Sequence, residues 1–219
     1  MGTPDEWFNP KLMPSSTRAK GARNLDQFIE AISRHEIHGG IFGFEATFHQ
    51  ISSVFGSSSG FMSRFHTATF FWLIRRDIVS QGVSLDKMVQ TNIGHADTSD
   101  AIDIKNSDNA YSYDADRIKR WIRHIRTAEI GTEKMIADHG LRPTRLSYEG
   151  ITSGGAQKVV GIFASRLGIS LPCMGEIPSS HRKIATSKND EFSERFTAEN
   201  QEFLKDMNAE RTEILSQHD

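Results

Sequence analysis

The 219-residue sequence lacks most of the features that quickly assign a protein to a class. Its one cysteine, Cys173, excludes an intramolecular disulfide and any multi-cysteine zinc site. By itself Cys173 reads as a small buried or half-buried residue. No apolar run approaches the roughly 18 residues of a membrane span. The acidic, turn-rich opening from Met1 to Pro10 does not read as a signal peptide. Charge of one sign is also missing. Lys and Arg number 26 against 28 Asp and Glu, so the net charge of −2 gives no global pull toward nucleic acid or an anionic membrane. Neither G-x-x-x-x-G-K-[ST] nor G-x-G-x-x-G occurs. His35 and His38 flank Glu36 at i, i+3, but no further ligand is near and the other histidines lack metal spacing, so no metal is expected. The expectation is a soluble, cytoplasmic globular protein.

What is present is enough apolar matter for a core: 37% hydrophobic residues at low net charge. Residues 1–23, with three of the six prolines, read as a loop. Asn24 is placed to cap a helix carrying Leu25, Phe28, Ile29 and Ile32, ended by Gly39-Gly40. Residues 40–47 read as a short strand with Glu45 oddly placed in it. Residues 48–55 read as a helix, and Gly56-Ser-Ser-Ser-Gly60 as a flexible loop rather than a nucleophile elbow. Thr67 to Ile74 is a β-branched and aromatic run, the best strand in the chain, expected to be buried on both faces. A helix follows with Ile78, Val79, Val83, Met88 and Val89 inward. Residues 92–113 are a polar excursion. Asp114 can cap a long helix with the stripe Ile118, Trp121, Ile122, Ile125. Residues 143–148 form another strand, and Gly154-Gly155 precede a helix with Ala156, Val159, Val160, Phe163 and Leu167 inward, ended by Gly168. After a loop with Pro172, Pro178 and the basic pair Arg182-Lys183, Asn189 caps a terminal helix to residue 217. Strands alternating with helices predict an α/β class with a parallel sheet, in one domain over 1–219.

The sharpest chemical feature is Ile74-Arg75-Arg76-Asp77-Ile-Val-Ser80, where a strand gives way to a helix. Ligands of parallel α/β sheets bind at that carboxyl edge, and a helix N-terminus offers N–H groups to an anion. Two arginines and a first-turn hydroxyl make a phosphate or sulfate pocket. The alternative is a surface arginine pair with Asp77 as helix cap. Glu6, beside Asp5, Trp7 and Phe8, is either a general base in an apolar setting or part of a solvated acidic segment. Tyr148 either stacks on a base or ends a strand with a wet hydroxyl. Gly150 to Gly155 lacks the lysine of a phosphate loop and reads as a turn.

Five stretches occur in an order that resembles bacterial carbohydrate sulfotransferases, most closely the trehalose 2-sulfotransferase family. They are Gly2-Thr-Pro-Asp-Glu-Trp-Phe8, Gly40-Ile-Phe-Gly-Phe44, Arg76 to Ser84 with Val89-Gln-Thr91, Ser147-Tyr-Glu149, and Asn189 to Phe196. The resemblance implies a three-layer parallel sheet of the P-loop nucleotide-hydrolase and sulfotransferase type. It also implies sulfuryl transfer from 3′-phosphoadenylyl sulfate (PAPS) to a carbohydrate or glycolipid hydroxyl. Carried over by position, Arg75 and Ser80 grip the 3′-phosphate, Tyr148 lies near the adenine and Glu6 is the general base. A homodimer is implied as well.

The resemblance also carries two departures. Family members have a strand, a glycine- and serine-rich loop and a helix before the segment matching Gly2. Their absence here predicts an N-terminally incomplete fold: a misplaced start codon, an inactive nucleotide- or carbohydrate-binding remnant, or a unit supplied by a partner. Glu45 stands where the family commonly has lysine.

Overall fold

The computed structural model describes residues 5–93, 101–171 and 186–218. Cys173, the proline-containing loop around it, Arg182-Lys183, residues 94–100 of the polar excursion and the Gly2–Pro4 part of the first family motif lie outside that range. The chain divides into two compact units. One comprises residues 1–68 and 130–140, the other 69–129 and 141–219.

The first unit is helical: α1 (Met13–Ala19), α2 (Leu25–His35), α3 (Phe48–Phe55), α4 (Ser58–Phe65) and the last turns of α7 (Ala115–His139). Asn24 caps α2 as expected, its side chain accepting from Gln27 N at 2.9 Å, a bond worth about 1 kcal/mol. Phe8, Phe28 and Ile32 are fully buried. Phe8 meets Phe28, Phe44, Phe55 and Phe65 edge-on at centroid distances of 4.9 to 6.3 Å, the arrangement that the ring quadrupole favours.

That aromatic cluster explains the first correction. Residues 42–47 are not a strand; only Ile41 forms an isolated bridge, with His38. Gly39 and Gly40 take positive φ, and Phe42 and Phe44 pack against the buried cluster. Glu45 is therefore exposed in irregular chain rather than lodged in a sheet. Two expected loops are also partly helical. Residues 13–19 form α1, and Ser57 caps α4 through a bond from Gly60 N at 3.1 Å, so the serine-glycine run is the start of a helix.

The second unit holds β1 (Phe71–Ile74) and β2 (Thr144–Ser147), paired in parallel with Phe71 opposite Thr144 and Ile74 opposite Ser147. These are the only strands among the described residues, so the sheet seen is two-stranded and the chain mostly helical. β1 is not covered on both faces, since Leu73 is half exposed while Ile74 is buried. Around it lie α5 (Ile78–Thr91), α6 (Ala101–Ala110), most of α7, α8 (Tyr148–Leu167), α9 (Ser187–Glu199) and α10 (Gln201–Ser216). α6 occupies the second half of the expected polar excursion.

Asp114 caps α7 by accepting from Arg117 N at 2.9 Å. Of the predicted stripe, Ile118, Ile122 and Ile125 are buried in one cluster with Ile78, Val83, Phe192, Phe196, Leu204 and Met207, whereas Trp121 is only half-buried and Val89 of α5 faces outward. α8 begins earlier than expected. Ser147 caps it at Tyr148, and Gly155 (φ 73°) kinks it rather than preceding it. The terminal stretch is two helices that meet at Asn200, and Thr186 caps the first, with Asn189 as the reciprocal member of its capping box. Among the described residues, no helix is long and apolar enough to cross a membrane.

Candidate functional site

In the second unit, three residues separate the end of β1 from α5. Asp77 caps the helix: Oδ1 accepts from Ser80 N at 2.9 Å and Oδ2 from the Ser80 hydroxyl at 2.5 Å. The backbone donors just before the helix are also taken. Glu149, in the first turn of α8, accepts from Arg76 N at 3.0 Å through Oε2 and from Asp77 N at 3.2 Å through Oε1. The parallel register brings this about, because it sets Ile74 opposite Ser147 and so puts the ends of both strands side by side. The anion pocket is thus corrected in one respect. Two carboxylates take the N–H groups of Arg76, Asp77 and Ser80 and the Ser80 hydroxyl proton as well, leaving the Arg75 guanidinium as the group with donors to spare.

Arg75 is the residue with capacity to spare. Its guanidinium carbon lies 4.9 Å from the centroid of the Tyr148 ring, and Nε is 3.9 Å from Glu149 Oε1. That separation is beyond a hydrogen bond, and Nε is buried without a hydrogen-bond partner among the described residues. Arg76 differs: its guanidinium donates to the carbonyl of His218. The structure therefore brings Arg75 and Tyr148 together and sets Ser80 one helical turn beyond, hydrogen-bonded to Asp77.

The carbonyl side of the same turn is held from α10. Arg211, fully buried, donates to Arg75 O at 2.7 Å and to Arg76 O at 2.8 Å. Its fork also pairs with the buried Glu129 of α7, at 2.7 Å to Oε1 and 3.0 Å to Oε2. Neither Glu129 nor Arg211 stood out in the sequence. Each looks like one more charge on a charged helix, and only the i−7, i−4 and i+3 relation of Arg211 to Leu204, Met207 and Ile214 hints that it faces inward.

Glu6 lies in the first unit and is half-buried. Its Oε2 accepts from Asn9 Nδ2 at 2.7 Å and from Gln50 Nε2 at 3.2 Å, while Oε1 has no partner among the described residues. Gln50 is itself oriented by the capping box of α3, where its Oε1 accepts from Thr47 N at 2.8 Å. The T-x-x-Q string was a readable signal for that cap. Its second bond, to Glu6, was not readable.

No group of three or more metal-ligating side chains converges among the described residues. A strand-to-helix turn carrying an arginine over an aromatic ring, with an unpaired guanidinium nitrogen, has donors of the kind that a phosphorylated or sulfated ligand would need. The profile of the Stf0 sulphotransferase family matches residues 2–199. The chain belongs to that family and is a sulfotransferase, an enzyme that transfers sulfuryl groups. No curated protein matches the chain.

Proposed function

We propose that this sulfotransferase takes its sulfuryl group from PAPS and delivers it to a hydroxyl of a carbohydrate or glycolipid. Arg75 and Ser80 hold the 3′-phosphate, Tyr148 lies against the adenine, and Glu6 is the base. As the bond from acceptor oxygen to sulfur forms, the bond from sulfur to the bridging phosphate oxygen breaks. Adenosine 3′,5′-bisphosphate leaves with the electron pair, and the acceptor proton goes to the Glu6 carboxylate. A sugar hydroxyl is a weak nucleophile, so the gain comes from positioning and from a base that removes the proton as the oxygen attacks. The proposal includes a cytoplasmic location, a homodimeric assembly, and the three-layer sheet of the P-loop type.

The observation that carries the donor assignment is the Arg75 guanidinium, stacked near Tyr148 with a buried Nε that lacks a hydrogen bond. For Glu6 the support is a carboxylate steadied through one oxygen by two amides, with the other oxygen left to accept a proton.

Thermal unfolding with and without adenosine 3′,5′-bisphosphate tests this. Ligand at about 100 times its dissociation constant adds roughly 2.7 kcal/mol of stability. The expected result is an upward shift that disappears in Arg75→Ala. No shift in the parent chain, or the same shift in Arg75→Ala, would sink the donor assignment.

A further inference from the structure

The Arg75–Asp77 turn is held on both of its polar sides by residues far away in sequence. Glu149 takes the N–H groups of Arg76 and Asp77, and Arg211 takes the carbonyls of Arg75 and Arg76. Arg211 is fully buried, so it cannot itself meet a ligand. Its planar fork is divided between two peptide carbonyls and one carboxylate, which fixes the plane of the guanidinium and with it the path of the turn. Glu129 is anchored in turn by Arg126, whose Nη1 lies 3.4 Å away, and Arg126 also donates to the carbonyl of Glu210 at 2.9 Å. α10 is thereby tied to α7 at Glu210 as well as at Arg211. The residue lies beyond the stretch that the family profile matches, which ends at 199.

We infer that Arg211 is a positioning residue for the 3′-phosphate site, acting through the Arg75 and Arg76 carbonyls with Glu129 as its counter-charge. The inference rests on the assignment of the 3′-phosphate to Arg75 and Ser80 proposed above. With both carbonyls of the turn tethered, the Arg75 backbone is fixed and its side chain starts from one place above Tyr148. Without the tether the turn can rotate its peptides. The Arg75 guanidinium then pays an ordering cost each time it meets a phosphate. A lysine at 211 keeps the charge but, as a single ammonium, cannot span two carbonyls and a carboxylate.

The test compares the affinities of adenosine 3′,5′-bisphosphate and adenosine 5′-monophosphate, which differ only in the 3′-phosphate. It is run by calorimetry on the parent chain, Arg75→Ala, Arg211→Met, Arg211→Lys and the charge-balanced E129Q/R211M. The parent should prefer the bisphosphate, and Arg75→Ala should lose that preference. If either fails, the 3′-phosphate assignment is wrong, and the inference falls with it. If both hold, Arg211→Met and Arg211→Lys should cut the preference by about tenfold or more, the weight of a charge-assisted contact, and leave monophosphate affinity unchanged. A merely structural role would weaken both nucleotides alike or neither. Either pattern, with Arg75→Ala behaving as expected, overturns the inference. E129Q/R211M replaces Arg211→Met if the single variant does not melt cooperatively. A double variant that also fails to fold overturns it too, because Arg211 would then be a core residue and not a positioning one.

Discussion

The side-chain amide of Gln50 joins the start of α3 to the proposed base: it accepts from Thr47 N at 2.8 Å and donates to Glu6 Oε2 at 3.2 Å. One residue thus caps a helix and orients a carboxylate. Gln50→Leu removes both bonds and should lower stability by about 1 kcal/mol, a Tm decrease of about 2–4 °C in a chain of this size. A turnover loss larger than that of Thr47→Ala, which disturbs only the cap, is expected in a sulfuryl-transfer assay. Equal effects of the two substitutions would separate Gln50 from the base.

Tyr148 faces the Arg75 guanidinium with its ring, not its hydroxyl. Tyr148→Phe should therefore leave adenosine 3′,5′-bisphosphate binding nearly unchanged, and Tyr148→Leu should weaken it by about tenfold, in line with roughly 1–3 kcal/mol for a base stacked on an aromatic ring. Calorimetric titration of the two variants distinguishes ring stacking from a role of the hydroxyl.

Glu129 and Arg211 form a buried pair, and breaking such a pair by removing one partner costs about 3–5 kcal/mol because it leaves an uncompensated charge. In urea, Arg211→Met should show a loss on that scale. E129Q/R211M should recover part of it, despite carrying one more substitution. A double variant less stable than the single one would contradict the unpaired-charge explanation.

Asp108 couples stability to acid. Burial pushes its carboxyl up, but hydrogen bonds from Lys87 and Thr186 and the charges of Lys87 and Lys188 outweigh that, and it is held below the ordinary value of 3.8. Its contribution is thus complete above that unfolded value and is lost as pH falls through the lower folded one. Asp108→Asn should lower the urea midpoint at pH 7, where Lys87 loses its counter-charge, and make less difference at pH 2. A constant difference between the two proteins at every pH would refute the linkage.

Gly131 of α7 lies against the Phe48 ring, where a Cβ would overlap three ring carbons. Gly131→Ala should cost about 1–3 kcal/mol even though alanine favours the helix, because the ring has to move. Phe48→Leu in the same chain should restore part of that loss. Thermal melts of the single and double variants decide the matter.

Local features were legible in the sequence. Asn24, Asp77 and Asp114 each cap the helix expected of them, because a cap needs only a side-chain oxygen and an N–H two or three residues on. The Ile118, Ile122, Ile125 stripe is buried because helical period alone decides which residues share a face. The ordered motifs led to the sulfotransferase family, with which the profile over residues 2–199 agrees.

Tertiary structure decided what depends on partners remote in sequence. Residues 40–47 have the apolar content of a strand, but Phe42 and Phe44 gain more from the aromatic cluster around Phe8 than the segment could from an unmatched edge. Nothing in the Ser147-Tyr-Glu149 stretch tells what Glu149 bonds to; the parallel register sets it against the N–H groups of Arg76 and Asp77. Arg211 is one of the two cations on the charged helix α10, yet in the folded chain it donates to carbonyls 135 and 136 positions away. A hydrogen bond between distant residues leaves no period and no spacing in either segment. Such bonds, rather than the motifs that flank them, hold the Arg75–Asp77 turn in place.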